Sequence, residues 1–155
     1  TKRPGLKGIQ IVHACVGKQA GVAVLKRALD SSSLLQDSIT HAQWKANREG
    51  GRSEAVAVVR LDDVLNGTSL DALGWPSLAA AGGVGFIKID VQGVERNVLL
   101  GAAATLALHR PYVYYEDSLL PEAERGGQLV YQMVGESAYE CKCKADCFCM
   151  PKRRR

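Results

Sequence analysis

The sequence feature that most constrains the fold is the succession of three patterns between residues 85 and 116. Residues 85–91 (GFIKIDV) are short, rich in β-branched side chains and flanked by glycine, which is typical of a buried strand. Residues 94–109 (VERNVLLGAAATLALH) place apolar side chains on one face at helical spacing, and Pro111 cannot continue that helix. Residues 112–116 (YVYYE) have the composition of a strand. A strand, a helix and a strand with short connections predict two parallel strands joined by a helical crossover, and hence an α/β layered fold.

Residues outside this unit also carry strand and helix patterns. We predict strands at 9–16, 22–25 and 55–60, and helices at 61–65, 77–81 and 122–136. The polar, glycine-bounded residues 17–21 predict a hairpin between the first two strands. Asp62 is placed to cap the short helix that follows the third strand. The polar and aperiodic residues 30–52 predict a long surface loop, and Gly126 and Gly127 weaken the last helix.

Composition excludes several classes of protein. With 46% hydrophobic and 23% charged residues, the 155-residue chain can bury a core and is not a disordered chain. The net charge of +4 comes from the C-terminal run 152–155, because the other 16 basic side chains are matched by 16 acidic ones. We therefore expect no nucleic-acid partner. No apolar run is long enough to cross a bilayer, so we expect no membrane segment in this chain.

Acidic side chains stand where the two predicted parallel strands end. In the segment 86–95 (FIKIDVQGVE), Asp90 closes the strand and Gly93 permits a tight turn. Glu95 falls in the first turn of the helix, where the helix dipole favours a negative charge. These roles account for Gly93 and Glu95, but an acid at the end of a buried strand is costly unless it is paired or solvated. Because ligands bind at the carboxyl ends of parallel strands, Asp90 and Glu116 together predict a site at this edge.

The same residues closely resemble a known family. Residues 87–116 (IKIDVQGVERNVLLGAAATLALHRPYVYYE) resemble the FkbM-type family of S-adenosylmethionine-dependent methyltransferases. That family carries an I-K-I-D-V-E-G-x-E segment, a helix ending in R-P and a strand closing on Glu. Residues 59–65 (VRLDDVL) resemble its T-L-D-D-L segment, and residues 9–25 (IQIVHACVGKQAGVAVL) its preceding strand, glycine turn and second strand. The resemblance covers roughly residues 8–117 and implies a Rossmann-like methyltransferase sheet with helical crossovers.

The resemblance also implies an activity and a set of site residues. It implies S-adenosylmethionine as the cofactor and methyl transfer to an oxygen of a small-molecule or sugar-like acceptor. It assigns catalytic roles to Asp90, Glu95 and Glu116, and cofactor binding to Asp90, Gln92 and Gly93. Asp90 is expected nearest the methyl group and the acceptor. Gln92 stands where the family usually has Glu, a change that keeps hydrogen-bonding capacity but removes a charge.

One part of the family pattern is missing from this sequence. The family's domain opens with a strand and a glycine-rich turn that cradles the cofactor, and residues 1–8 are too short to supply them. The glycines of residues 82–85 precede a strand instead of following one. We therefore expect residues 1–138 to be an N-terminally truncated domain that binds the cofactor weakly or not at all. A non-catalytic binding or scaffold remnant of the same fold is the alternative.

Residues 139–155 read as a cysteine-rich and basic tail. It contains Cys141, Cys143, Cys147 and Cys149, whose thiols suit either a soft metal such as zinc or disulfides in an oxidising compartment. Only one residue separates the cysteines of each pair, whereas structural zinc pairs usually have two or more. We therefore assign no metal ligands, and keep a metal- or redox-responsive tail as a second alternative function.

Overall fold

The fold is that of a computed structural model, which describes residues 9, 11–27, 32–33, 53–65, 82–91 and 93–153. Its strands are β1 (Cys15–Val16), β2 (Gly21–Arg27), β3 (Ser32–Ser33), β4 (Ser53–Val59), β5 (Phe86–Ile89), β6 (Tyr112–Glu116), β7 (Tyr139–Cys143) and β8 (Asp146–Pro151). Its helices are α1 (Leu61–Leu65), α2 (Glu95–Leu100), α3 (Ala103–His109) and α4 (Gln128–Val134), with a 3₁₀ turn at Glu122–Glu124. These sheets and helices make a mixed α/β structure, as predicted. The predicted helix at 77–81 and most of the predicted loop at 30–52 lie outside the described residues.

The second sheet contains the predicted parallel pair. Its strand order is β5-β6-β8-β7, and β5 runs parallel to β6 with Ile89 opposite Tyr115. Helices α2 and α3 form the crossover between these two strands, as parallel neighbours require. Strand β8 pairs antiparallel with β6, and β7 pairs antiparallel with β8. Residues 139–151 thus form a hairpin that extends the sheet, which the sequence patterns did not predict. The domain boundary placed at residue 138 stays a prediction.

One face of the second sheet carries most of the core. Alternate residues of β5 and β6 are buried, because successive side chains of a strand point to opposite faces. The hairpin contributes side chains to this face, and side chains from α2, α3 and α4 pack against it. The cluster includes Ile87, Ile89, Val98, Leu99, Leu106, Val113, Tyr115, Leu129, Val130, Tyr139, Cys147 and Cys149. Burial of each large apolar side chain contributes about 1.5–3 kcal/mol. This face is therefore the main source of stability in the described part of the chain.

The β7–β8 hairpin is tied to the end of helix α3. Buried Tyr139 donates a hydrogen bond from its hydroxyl to the carbonyl oxygen of Pro111 at 2.7 Å. Burial raises the pKa of Tyr139 to about 12. The guanidinium of Arg110 donates to the carbonyl oxygens of Ala138 at 2.6 Å and Lys152 at 2.8 Å. The arginine that precedes the helix-ending proline thus clamps both ends of the hairpin.

The predicted hairpin between the first two strands is wrong. The first sheet has the order β1-β4-β2-β3, so β4 lies between β1 and β2. Strand β1 is parallel to β4, with Cys15 opposite Val58, and β2 is antiparallel to β4. Gly17 donates its backbone N–H to the carbonyl oxygen of Val59 at 2.9 Å, which keeps the chain bonded to β4 as it leaves β1. Strand β4, which is longer than β1 and rich in valine, therefore pairs with both β1 and β2. These two strands do not pair with each other, although the short loop between them suggests that they do.

The single helix predicted at 94–109 is wrong, because it is broken into α2 and α3 at Gly101 and Ala102. The backbone carbonyl of Gly17 packs against Gly101 so closely that a Cβ there would overlap it. The carbonyl oxygen of Gly101 in turn accepts a hydrogen bond from the N–H of Asp62 at 2.8 Å. The contact with Gly17, which follows β1, and the hydrogen bond from Asp62 of α1 stabilise the turn between the two helices. Helical spacing of the apolar residues does not reveal such a contact.

The helix predicted at 122–136 is also interrupted, at the two glycines that were expected to weaken it. Gly126 and Gly127 have φ values of 69° and 89°, which lie in the left-handed region that favours glycine. The 3₁₀ turn precedes them and α4 follows them. The remaining helix is therefore only seven residues long.

Asp62 caps a helix, but not the one predicted. Its side chain is 4% exposed and lies inside α1. Its carboxylate accepts hydrogen bonds from the N–H of Ala104 at 3.0 Å, and from the N–H and hydroxyl of Thr105, both at 2.8 Å. Ala104 and Thr105 are in the first turn of α3, where backbone N–H groups have no intrahelical partner. Since Ala102 before this helix has no side-chain acceptor, the cap is supplied from α1.

We expect the substitution Asp62→Ala to lower the free energy of unfolding by about 2–4 kcal/mol, because two buried donors of Thr105 and the partly buried N–H of Ala104 lose their acceptor. Urea unfolding followed by circular dichroism measures this change. Asp63→Ala is the matched control: the neighbouring carboxylate is half exposed and pairs with the same Arg60, at 3.3 Å. It should change stability by about 0.5 kcal/mol or less. Equal losses in the two variants would show that Asp62 acts only through Arg60.

We expect Gly101→Ala to destabilise the protein by about 1–3 kcal/mol, because the new methyl group meets the carbonyl of Gly17. Gly101 has φ −75°, a conformation that alanine accepts, so propensity alone would predict a gain instead of a loss. Gly85→Ala is the control, since nothing lies within 4 Å of a Cβ at that position. Thermal and urea unfolding of both variants measure the difference. A stabilised Gly101→Ala variant would contradict the close contact between the two backbones.

Candidate active site

The carboxyl ends of β5 and β6 lie side by side. Ile89 is opposite Tyr115 in the parallel register, so Asp90 follows β5 at the edge where Glu116 ends β6. Side chains 86, 88 and 90 lie on the face of the sheet opposite the core, as do 112, 114 and 116. The structure therefore brings Asp90 and Glu116 to the same edge of one sheet and to its open face.

Asp90 is accessible at this edge. Its side chain is 55% exposed and forms an ion pair with Lys88, with 2.9 Å between Oδ2 and Nζ. Tyr114 lies next to it on the open face and donates a hydrogen bond from its hydroxyl to Asp146 at 2.7 Å. This bond, together with burial and the charges of Asp146 and Asp90, raises the pKa of Tyr114. Asp90 thus belongs to a solvent-accessible group of charged and phenolic side chains, where its charge is solvated and paired.

Glu95 occupies a different environment from Asp90. Its side chain is completely buried, and its Oε1 atom accepts hydrogen bonds from the N–H of Gly93 at 3.1 Å and of Val91 at 3.4 Å. Gly93 has φ 100°, so the turn there requires glycine. The Oε2 atom has no hydrogen-bond partner among the described residues. Glu95 therefore fixes the turn between β5 and α2 through one of its two carboxylate oxygens.

Glu116 and Asp117 are adjacent acids on opposite faces of the sheet. Glu116 is partly exposed and accepts a hydrogen bond from the hydroxyl of Ser118 at 3.1 Å. Asp117 is 3% exposed and accepts one from the N–H of Gly126 at 2.9 Å, while its Oδ1 atom has no partner in the described part of the chain. Burial, and then the charge of Asp117, raises the pKa of Tyr115. No sequence motif marks Asp117 as a site residue, although the alternation of β6 places residue 117 on the buried side.

The arrangement has two chemically distinct parts. Asp90 and Glu116 are carboxylates at an accessible edge, and they can accept hydrogen bonds from hydroxyl or ammonium groups of a ligand. Glu95 is buried and shapes the turn through hydrogen bonds to its backbone. Gln92 lies outside the described residues, so its predicted contact with a cofactor stays a prediction, as do the roles predicted for the other site residues.

We expect Glu95→Ala to lower the free energy of unfolding by about 2–3 kcal/mol, because two backbone donors of the turn lose their acceptor and a buried volume is left empty. Glu95→Gln keeps an acceptor oxygen in nearly the same place and should cost about 1 kcal/mol or less. Chemical unfolding of the two variants makes the comparison. If the two variants lose the same stability, the turn depends on the charge of Glu95 and not on its acceptor oxygen.

Comparison with known proteins agrees with the pattern at this edge. No curated protein and no solved structure matched the chain. The family model described as the methyltransferase FkbM domain matches residues 4–140. That span includes β5, β6, the acids at their ends and both helices of the crossover. Because the match covers well over half of the sequence, the chain belongs to the FkbM methyltransferase domain family.

Proposed function

We propose that this chain contributes to an S-adenosylmethionine-dependent methyltransferase that transfers a methyl group to an oxygen of a small-molecule or sugar-like acceptor. Membership of the FkbM family supports methyl transfer as the reaction class. The parallel β5–β6 pair with its helical crossover supports a Rossmann-like arrangement for the second sheet. The observation that carries the proposal is the position of exposed Asp90 beside Glu116 at the carboxyl edge of this pair.

The donors and acceptors at this edge fit the cofactor. S-Adenosylmethionine carries a positive sulfonium, an ammonium group and the two hydroxyls of its ribose, and carboxylates suit all of these groups. Asp90 and Gly93 would hold it, together with Gln92 as the family pattern implies. In the described residues the N–H of Gly93 is already used by Glu95, so Gly93 would contribute close backbone approach and not a free donor.

The roles of the acids follow from their exposure. Bound S-adenosylmethionine would supply an activated methyl group for an in-line transfer. Asp90, which solvent reaches, would orient the acceptor hydroxyl and take its proton as the new bond forms. Glu116, held by Ser118, would bind a second polar group of the acceptor. Glu95 would act as a positioning residue, because it is buried and fixes the turn that follows Asp90.

No described helix is long and apolar enough to cross a membrane. The open edge of the sheet supports a polar acceptor, because the charged side chain of Lys88 and the phenol of Tyr114 lie near Asp90 there. Polar hydroxyl-bearing molecules fit such a surface better than large apolar ones, because apolar ligands are bound mainly by hydrophobic and aromatic linings.

The proposal predicts that S-adenosylhomocysteine, the demethylated cofactor, binds at the edge formed by residues 90–95 and 116–118. Binding is measured by titration of the isotopically labelled chain, followed through its amide resonances up to about 1 mM ligand, the upper end of common Michaelis constants. The Gly93 amide should shift, because its hydrogen bond to Glu95 lies in the turn next to Asp90. Asp90→Asn should weaken binding about tenfold, equivalent to about 1.4 kcal/mol.

Glu140→Gln is the matched control for this experiment. Glu140 lies on β7 with a side chain 58% exposed, close to the 55% of Asp90, but at the far edge of the same sheet. It should bind the ligand like the unaltered chain. Absence of any shift up to about 1 mM ligand, or equal effects of the two substitutions, would reject the cofactor site at this edge. The scaffold alternative would then account for the chain better.

A further inference from the structure

The β7–β8 hairpin brings four cysteines together on the buried side of the second sheet. Cys141 lies opposite Cys149, and Cys143 opposite Cys147, in the antiparallel register. The structure joins each of these pairs by a disulfide. Cys147 and Cys149 are fully buried, and their sulfur atoms are 3.8 Å apart. The one-residue spacing within each pair, which argued against a zinc site in the sequence, is what places all four sulfurs on one face.

These atoms lie close enough to one another to reach a single metal ion once the two disulfides are opened, because two bonded sulfurs are too close to ligate the same ion. The sulfur atoms of Cys141, Cys147 and Cys149 lie within 4.8 Å of one another. A carboxylate oxygen of Asp117 and the sulfurs of Cys143 and Cys147 lie within the same limit. Zinc–sulfur bonds of about 2.3 Å in tetrahedral geometry set the ligand atoms about 3.8 Å apart. Cys147 belongs to both groups, so the candidate ligands form one continuous cluster.

Asp117 gives an independent indication of a ligand. Asp117 is 3% exposed, and its buried Oδ1 atom lacks a hydrogen-bond partner in the described residues. Its backbone N–H donates to Ala145 at 2.9 Å, which fixes Asp117 against the turn between β7 and β8. Leaving a buried carboxylate oxygen without a partner is costly, and a metal ion is one of the groups that removes this cost.

We propose that the reduced hairpin binds Zn²⁺ through Cys147 and the neighbouring thiolates with Asp117, and that formation of the two disulfides releases the ion. In the reducing direction, each disulfide takes two electrons and two protons from a dithiol, which becomes a disulfide itself. The two bridges thus become four thiols. Zn²⁺ then displaces one proton from each thiol that ligates it, because the thiolate is the binding form. Oxidation reverses both steps, and a disulfide acceptor takes the electrons.

The short sequence separation of the bridged cysteines favours replacement of the disulfides by a zinc ion. They join residues only eight and four positions apart in the chain. Disulfides that close short loops restrict the unfolded chain less than those that close long loops, so they contribute less to stability. Zn²⁺ would replace them as the connection between β7 and β8. The hairpin would therefore keep its pairing with β6 in both states.

The test is the zinc content of the purified chain in its two redox states. The chain is reduced under nitrogen with a water-soluble phosphine, which converts a disulfide and water into two thiols and a phosphine oxide. It is then mixed with Zn²⁺, passed through a desalting column and analysed by atomic emission. We expect about one Zn²⁺ per reduced chain and about tenfold less in the oxidised chain. Co²⁺ in place of Zn²⁺ should give the charge-transfer absorption of thiolate ligands.

Substitutions locate the site. Cys147→Ser removes the ligand common to both groups and should abolish stoichiometric binding in the reduced chain. Cys15→Ser is the control, because Cys15 is a free thiol in β1 of the other sheet. Asp117→Asn should weaken zinc binding about tenfold. Circular dichroism checks that each variant is folded, and if Cys147→Ser fails to fold, the comparison of redox states and Asp117→Asn decide the question.

Three results would overturn the proposal. The first is a reduced chain that retains no zinc after desalting. The second is equal zinc content in the reduced and oxidised chains. The third is a folded Cys147→Ser variant that binds zinc as tightly as Cys15→Ser. None of these measurements depends on methyltransferase activity, so the zinc site stands or falls separately from the proposed function.

Discussion

The carboxylate of Asp62 is the interaction on which the arrangement of the described elements depends. It extends from α1, directly after the first sheet, and accepts three hydrogen bonds at the start of α3. The N–H of the same residue binds the carbonyl of Gly101 at the break before that helix. The first turn of α3 would otherwise have free N–H groups in a buried place, where they are costly. One residue thus satisfies these donors and joins the two sheets.

Strand β6 separates the two chemical regions of the second sheet. Its alternation directs Tyr114 and Glu116 to the open face beside Asp90, and Tyr115 to the buried face. Asp117 continues the buried side towards the cysteines of the hairpin. The proposed cofactor edge and the proposed zinc site therefore lie on opposite faces of one sheet. The two sites differ in solvent exposure. Binding and release of a cofactor need an accessible edge, whereas coordination of a metal by thiolates is stronger where water is excluded.

The two acids of the family motif differ strongly in solvent exposure, which their spacing in the sequence does not reveal. Asp90 and Glu95 are close in sequence, yet the first is more than half exposed and the second is completely buried. A buried carboxylate that binds the backbone of its own turn is suited to positioning. An exposed one at a strand end is suited to contact with a ligand. Membership of the FkbM family supports methyl transfer as the reaction class, and the difference in burial is the basis of the separate roles that we propose for the two acids.

The sequence alone determined the elements that local patterns specify. The buried strand at 86–89, the strand at 112–116, their parallel pairing and the meeting of Asp90 and Glu116 at one edge all follow from apolar periodicity and connection length. The sequence also indicated that Gly126 and Gly127 weaken the helix predicted at 122–136, although only the structure, in which both have positive φ, shows that they interrupt it. The family was recognisable because its motif lies in this same local region.

Only the tertiary structure decided the features that depend on residues far apart in the chain. The insertion of β4 between β1 and β2, the break at Gly101 and the capping of α3 by Asp62 all rest on contacts between distant segments. Single-sequence patterns do not carry that information. The hairpin at 139–151 escaped prediction because its alternating cysteines have no characteristic strand composition. Its pairing with β6 is what buries two of them beside Asp117. Local periodicity fixes an element and its faces, whereas the partner of each face is set by packing of the whole chain.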